Sequence, residues 1–106
     1  MSTKDYPRLI LPEGFDERRA FETPLRGYLS EVLVELENGL QYPVFFIDPT
    51  RLAQELESTL QLGEVCFAEP GMIVLPEVNL ETMDKAVKAL WREGFFSHLK
   101  PLVLTK

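Results

Sequence analysis

From residue 28 onward the chain alternates between apolar and polar positions. Val32, Val34 and Leu36 fall on one side of an extended segment, and Glu31, Leu33 and Glu35 on the other. That period-two pattern predicts a half-buried strand over 28–37. Asn38-Gly39 follows, a pair suited to the positive φ values of a type I′ hairpin turn, and 40–47 resumes as a second strand. A two-residue loop there predicts Val32 opposite Phe45 and Leu33 opposite Val44. Pro43 has no N–H to offer a ladder, so an edge or a bulge is predicted around it. Asp48 is a suitable N-cap, with Pro49 at the first helical position. Leu52, Ala53, Leu56 and Leu60 then form a narrow apolar helical stripe that stops at Gly63.

The same order is legible a second time. Residues 65–68 and 72–75 are apolar at both alternating sets of positions, which predicts strands covered on both faces. Pro70-Gly71 between them fits the central pair of a type II turn. A helix over 80–93 opens at Asn79-Leu80 and closes at Gly94. It offers Met83, Ala86, Val87, Leu90 and Trp91 to a core and pairs Glu81 with Lys85 and Asp84 with Lys88. Unit one (28–63) and unit two (64–94) thus read as one duplicated strand-turn-strand-helix module, a strong architectural signal. The predicted core is Val32, Val34, Leu36, Phe45, Leu52, Leu56, Leu60, Phe67, Val74, Met83, Val87 and Leu90.

The two ends are less regular. Residues 1–26 read as an amino-terminal arm with one short extended piece, Leu9-Ile10-Leu11, held between Pro7 and Pro12. Pro24 limits any helical turn in 13–21. Residues 100–105 have strand composition. The expected fold is α+β: an antiparallel sheet of four or five strands with two helices on one face, in one domain over 27–106. If 100–105 pairs in the sheet, the elements from the second strand onward take the ferredoxin-like order. That comparison concerns element order alone.

Composition narrows the function. The chain has 106 residues, is 45% hydrophobic, and carries 17 acidic against 11 basic side chains for a formal charge of −6. That balance repels a phosphate backbone, so nucleic acid is not an expected partner. The longest apolar runs are of four residues, Val44 to Ile47 among them, against the roughly 20 that span a bilayer. No membrane partner is expected. The first residues lack a signal-peptide layout, and the single cysteine forms no internal disulfide, so a cytoplasmic protein is expected.

Cys66 lies between Val65 and Phe67 and reads as a buried core thiol, while His98, beside Ser97 and Lys100, reads as an exposed loop residue. Two isolated soft ligands do not make a zinc site. Asp48 is explained as a helix cap, Glu31, Glu35 and Glu37 as a solvated row, and the glycines as turns and helix stops. No phosphate-binding loop or dinucleotide fingerprint occurs. No catalytic residue, metal or cofactor is therefore expected.

What remains is surface. With both helices on one face, the other sheet face would expose Leu33, Tyr42, Val44 and Phe46. Trp91, Phe95 and Phe96 form an aromatic group at the end of the last helix. These seven residues are the candidate contact surface. The expectation is a small acidic non-enzymatic interaction or structural module that associates with itself or with another protein. A ferredoxin-like domain that binds a regulatory small molecule is one alternative. An acidic inhibitor or immunity-type protein that neutralises a basic partner is another.

Overall fold

A computed structural model describes residues 6–102. Strand β1 (Arg8–Ile10) leads to helix α1 (Glu17–Arg26), then to β2 (Tyr28–Glu35) and β3 (Gln41–Ile47). Helix α2 (Pro49–Gln61), strand β4 (Met72–Val74), helix α3 (Leu80–Arg92) and a 3-10 turn (Phe95–His98) follow. The strands form one four-stranded sheet in the order β1-β2-β3-β4. β1, β2 and β3 are antiparallel neighbours, but β4 runs parallel to β3, so the sheet is mixed.

The parallel strand replaces the predicted second hairpin, and the structure does not show a duplicated unit. A parallel neighbour requires a crossover. α2 carries the chain away from the end of β3 for 13 residues, about 20 Å at 1.5 Å each. Residues 64–69 bring it back without strand pairing; six extended residues cover about 20 Å at 3.3 Å each. The predicted strand over 65–68 is therefore the return limb. Its apolar residues leave the core: Val65 and Cys66 are exposed and Phe67 is half-buried. Pro70-Gly71 does form a turn, closed by Met72 N–H to the Glu69 carbonyl at 3.3 Å, with Gly71 at φ +77°. A Cβ on Gly71 would sit 2.5 Å from the Pro43 carbonyl oxygen, so this turn can press against β3 only as glycine.

The β2–β3 hairpin forms with a different register. Val32 pairs with Val44, Leu33 with Pro43 and Val34 with Tyr42. The loop holds Glu37, Asn38 and Gly39: Leu36 N–H donates to the Leu40 carbonyl at 2.9 Å, and the Asn38 side chain accepts from Leu40 N–H at 3.0 Å. One extra loop residue shifts every pair by one. Pro43 is tolerated inside the sheet because its nitrogen points away from β2. On that side, the ladder to β4 begins only at Phe45 N–H, which donates to the Gly71 carbonyl at 3.0 Å. The bulge lies in β2 instead. Leu29 pairs with Phe46 and Val32 with Val44, so Ser30 and Glu31 together face Phe45, and Glu31 takes φ +63°. The extra residue returns Leu29 to the side of Val32 and Val34.

That side is the main core. Leu29, Val32, Val34, Tyr42, Val44 and Phe46 pack with Met83 and Val87 of α3 and with Phe96, while Leu9, Leu11 and Phe15 close the margin. α3 is held at its start by a reciprocal capping box between Asn79 and Thr82. Its outer face carries the expected pairs, Glu81–Lys85 at 3.0 Å and Asp84–Lys88 at 2.8 Å.

α2 lies on the opposite face. Tyr28 pairs across the sheet with Ile47, its ring is 5.7 Å from that of Phe45, and the Arg51 guanidinium of α2 stands 4.9 Å over it. The expectation of two helices on one face is thus corrected: α3 and α2 lie on opposite faces of the sheet. β3 accordingly buries Phe45 and Ile47 on one side and Val44 and Phe46 on the other. The helix order also differs at the start, since 17–26 is helix rather than arm. Asp16 caps it by accepting from Arg19 N–H at 2.9 Å, and the helix runs through Pro24 to end at Gly27, whose N–H reaches the Thr23 carbonyl at 2.9 Å. The strand–helix–strand–strand–helix–strand order does occur, from β1 to β4. β1 and β2 are nonetheless direct antiparallel neighbours, not a split parallel pair. Of the predicted last strand, Leu102 N–H donates to the Gln41 carbonyl at 2.6 Å; residues 103–106 lie outside the described residues.

Candidate functional site

Two surfaces stand out, and both follow from the placement of α2. The first is a cavity of about 240 Å³ where α1, the start of β2 and the first turn of α2 meet. Gly27 makes this junction possible. Its carbonyl accepts from Asp48 N–H at 2.9 Å, and a Cβ there would fall 2.5 Å from the Asp48 carboxylate. The αL glycine that ends α1 therefore packs directly on the residue that caps α2 through Arg51 N–H, at 2.8 Å.

Arg19, Glu22 and Arg26 of α1, Tyr28 and Ser30 of β2, and Arg51 of α2 line the cavity. Spacing of three and seven residues puts the α1 members on one helical face. Arg51 is the fixed member: Nε donates to Glu55 at 2.9 Å and Nη1 to the Arg26 carbonyl at 3.2 Å, with the guanidinium carbon over the Tyr28 ring. Glu22 is shared by Arg18 at 3.2 Å and Arg26 at 3.5 Å. The Arg19 guanidinium makes no hydrogen bond or ion pair among the described residues; it lies 5.7 Å from the Phe15 ring. Thr23, buried beside it, spends its hydroxyl on the Arg19 carbonyl at 2.6 Å. A second hollow of about 340 Å³ lies over the bulge between Tyr28, Glu31, Phe45 and Glu69. His98, exposed as expected, lines a third with Pro43 and Lys100.

The second surface is apolar. Only Thr59 is buried on α2, whose leucines lean outward: Leu56 and Leu60 are 41% and 53% exposed. Leu62 and Val65 continue the exposure into the return limb, at 79% and 87%. Among the described residues β4 pairs with β3 alone and so forms an edge, with Val74 exposed on the face that carries α2. Leu56, Leu60, Phe67 and Val74, expected in the core, are therefore surface or half-buried residues. The reason is that the return limb and α2 form a thin second layer, not half of a shared one.

The seven expected contact residues divide. Tyr42, Val44, Phe46 and Phe96 are buried in the core with α3 and cannot meet a partner; the Tyr42 and Phe96 rings lie tilted against each other with centroids 5.5 Å apart. Leu33 and Phe95 are half-buried, and Trp91 is 44% exposed. Val44 and Phe46 are buried because the one-residue shift in the β2–β3 register turns them to the side of Val32 and Val34, where α3 packs. The arginine cavity was not anticipated. Its only trace in the sequence is the Arg19, Glu22, Arg26 spacing, which becomes a signal only once 17–26 is known to be helical.

Among the described residues no group of three or more His, Cys, Asp or Glu side chains has the placement to hold a metal ion. No helix there is long and apolar enough to cross a membrane. No protein-family model, curated protein or solved structure matches the chain.

Proposed function

We propose that the protein is an interaction module that self-associates through the face carrying α2. The supporting observation is the run of exposed apolar side chains from Leu56 and Leu60 through Leu62 and Val65, together with Val74 on the β4 edge. Scattered surface leucines need no explanation, but a group this dense on one layer is an interface signature. An unpaired edge strand adds a row of backbone donors and acceptors that a second chain can pair with. Antiparallel pairing of β4 with a second β4 is self-complementary, as a two-fold axis requires. The same axis would bring the α2 flanks of the two copies toward each other.

Sedimentation across a range of concentrations tests the reading. A particle of twice the 12.2 kDa chain mass is expected, and Leu60→Lys should give a folded monomer with unchanged circular dichroism. A wild-type chain that stays monomeric at high concentration would refute self-association, leaving the apolar layer to a different protein. A Leu60→Lys variant that still dimerises would place the interface elsewhere.

A further inference from the structure

We propose that the arginine cavity binds a small phosphate-bearing ligand, independently of the apolar face. The molecule is acidic, with a formal charge of −6, yet it gathers Arg19, Arg26 and Arg51 around one hollow. They come from two different helices, so the cluster is a product of the fold and not of a local charge run. Each of two carboxylates is already used: Glu22 serves Arg18 and Arg26, and Glu55 holds Arg51. Among the residues that line the hollow, three guanidiniums stand against one carboxylate, Glu22, while Glu55 serves Arg51 from outside it. Arg19 is half-buried, with its donors unspent among the described residues.

Chemistry selects the ligand. A phosphate monoester carries close to two negative charges at neutral pH and three acceptor oxygens, so it can meet several guanidiniums at once, whereas a carboxylate brings one charge and two oxygens. Planar guanidiniums are suited to such oxygens because they offer paired donors. Ser30 and Tyr28, each with a hydroxyl, line the same hollow. Arg51 is pre-set by Glu55, the Arg26 carbonyl and the Tyr28 ring, so it loses little freedom when an anion arrives. The volume of about 240 Å³ lies below the range typical of drug-sized ligands and fits a small organic phosphate.

The test is an NMR titration of the whole chain at low ionic strength with inorganic phosphate, phenyl phosphate and acetate. Phosphate-class probes should give saturable shifts confined to residues 19–30 and the start of α2, with acetate much weaker. Tighter binding of phenyl phosphate assigns an ester, and equal binding assigns the free ion; both support the site. Arg19→Gln should weaken binding about tenfold or more, as loss of a charge-assisted bond does, with the melting temperature unchanged. Arg26→Gln gives a second variant should the first misfold, and Arg92→Gln, outside the cavity, should leave affinity unaltered. The proposal is overturned by an absence of saturation at about 10 mM, ten times a millimolar dissociation constant. Acetate binding as well as phosphate would also overturn it, as would equal losses in the Arg19 and Arg92 variants.

Discussion

Gly27 does two jobs that no other residue type can combine. It closes α1 at φ +68° and leaves room for the Asp48 carboxylate, which would otherwise lie 2.5 Å from a Cβ. Gly27→Ala should therefore lower stability by more than the roughly 1–2 kcal/mol of a left-handed alanine, since it also pushes Asp48 off the α2 cap. Gly14 is the internal control. It has a similar φ of +83° with nothing within 4 Å, so Gly14→Ala should show the conformational cost alone. Urea midpoints decide, and equal losses in the two variants would show that the Asp48 contact carries no weight. Glu31 is the opposite case, a side chain held at φ +63° where a glycine would be unstrained, so that β2 can bring Leu29 back to the core side.

At the scale of elements, the two long helices have the same length and unequal hold on the sheet. α3 buries Met83 and Val87, whereas α2 buries only Thr59 and leaves Leu56 41% exposed. Met83→Ala should cost about 2–5 kcal/mol and Leu56→Ala under about 1 kcal/mol. Comparable losses in chemical denaturation would mean that α2 is packed as tightly as α3. The β1 edge depends on an ion pair. Arg8 Nε donates to Glu35 at 2.7 Å across the β1–β2 pair, and this hydrogen bond, helped by one from Gln41, holds the Glu35 carboxyl below its ordinary value of 4.5. A carboxylate depressed by folding stabilises the folded state above its unfolded value, and that contribution disappears as pH falls through the lower folded value. Glu35→Gln should then melt below wild type at pH 7, and the gap should close as acid is added below about pH 4.5. A gap independent of pH would assign the loss to shape, not charge.

The whole molecule measures 51 × 31 × 30 Å, with a radius of gyration of 14.8 Å, larger than the roughly 13 Å of a compact domain of this length. A thin second layer fits that extension, and Cys66 lies within it, exposed beside Val65. Its thiol should react with a maleimide in the native state without denaturant. In the proposed dimer the reaction should slow as protein concentration rises, while Leu60→Lys should label fast at every concentration. Slow labelling of the monomeric variant would show that the return limb is covered within its own chain.

Much of the local structure was legible from residue order. The Asp48 and Asn79 caps, the Pro70-Gly71 turn, the β2 and β3 segments and the Val32, Val34, Met83, Val87 core all rest on interactions between near neighbours or on a simple period, and these survive in any tertiary setting. The direction of β4 does not. An apolar run over 65–68 reads as strand whether it pairs in a hairpin or spans the back of a helix, because composition records burial preference and not where the chain must travel. The alternation of β3 likewise shows two apolar sets, Val44 with Phe46 and Phe45 with Ile47, without saying which faces α3. Only the crossover decided that, by sending α2 to one face and leaving the other for α3. The arginine cavity is tertiary for the same reason: Arg19 and Arg51 belong to helices that meet where Gly27 packs on Asp48 and Arg51 reaches the Arg26 carbonyl, contacts between residues far apart in the chain.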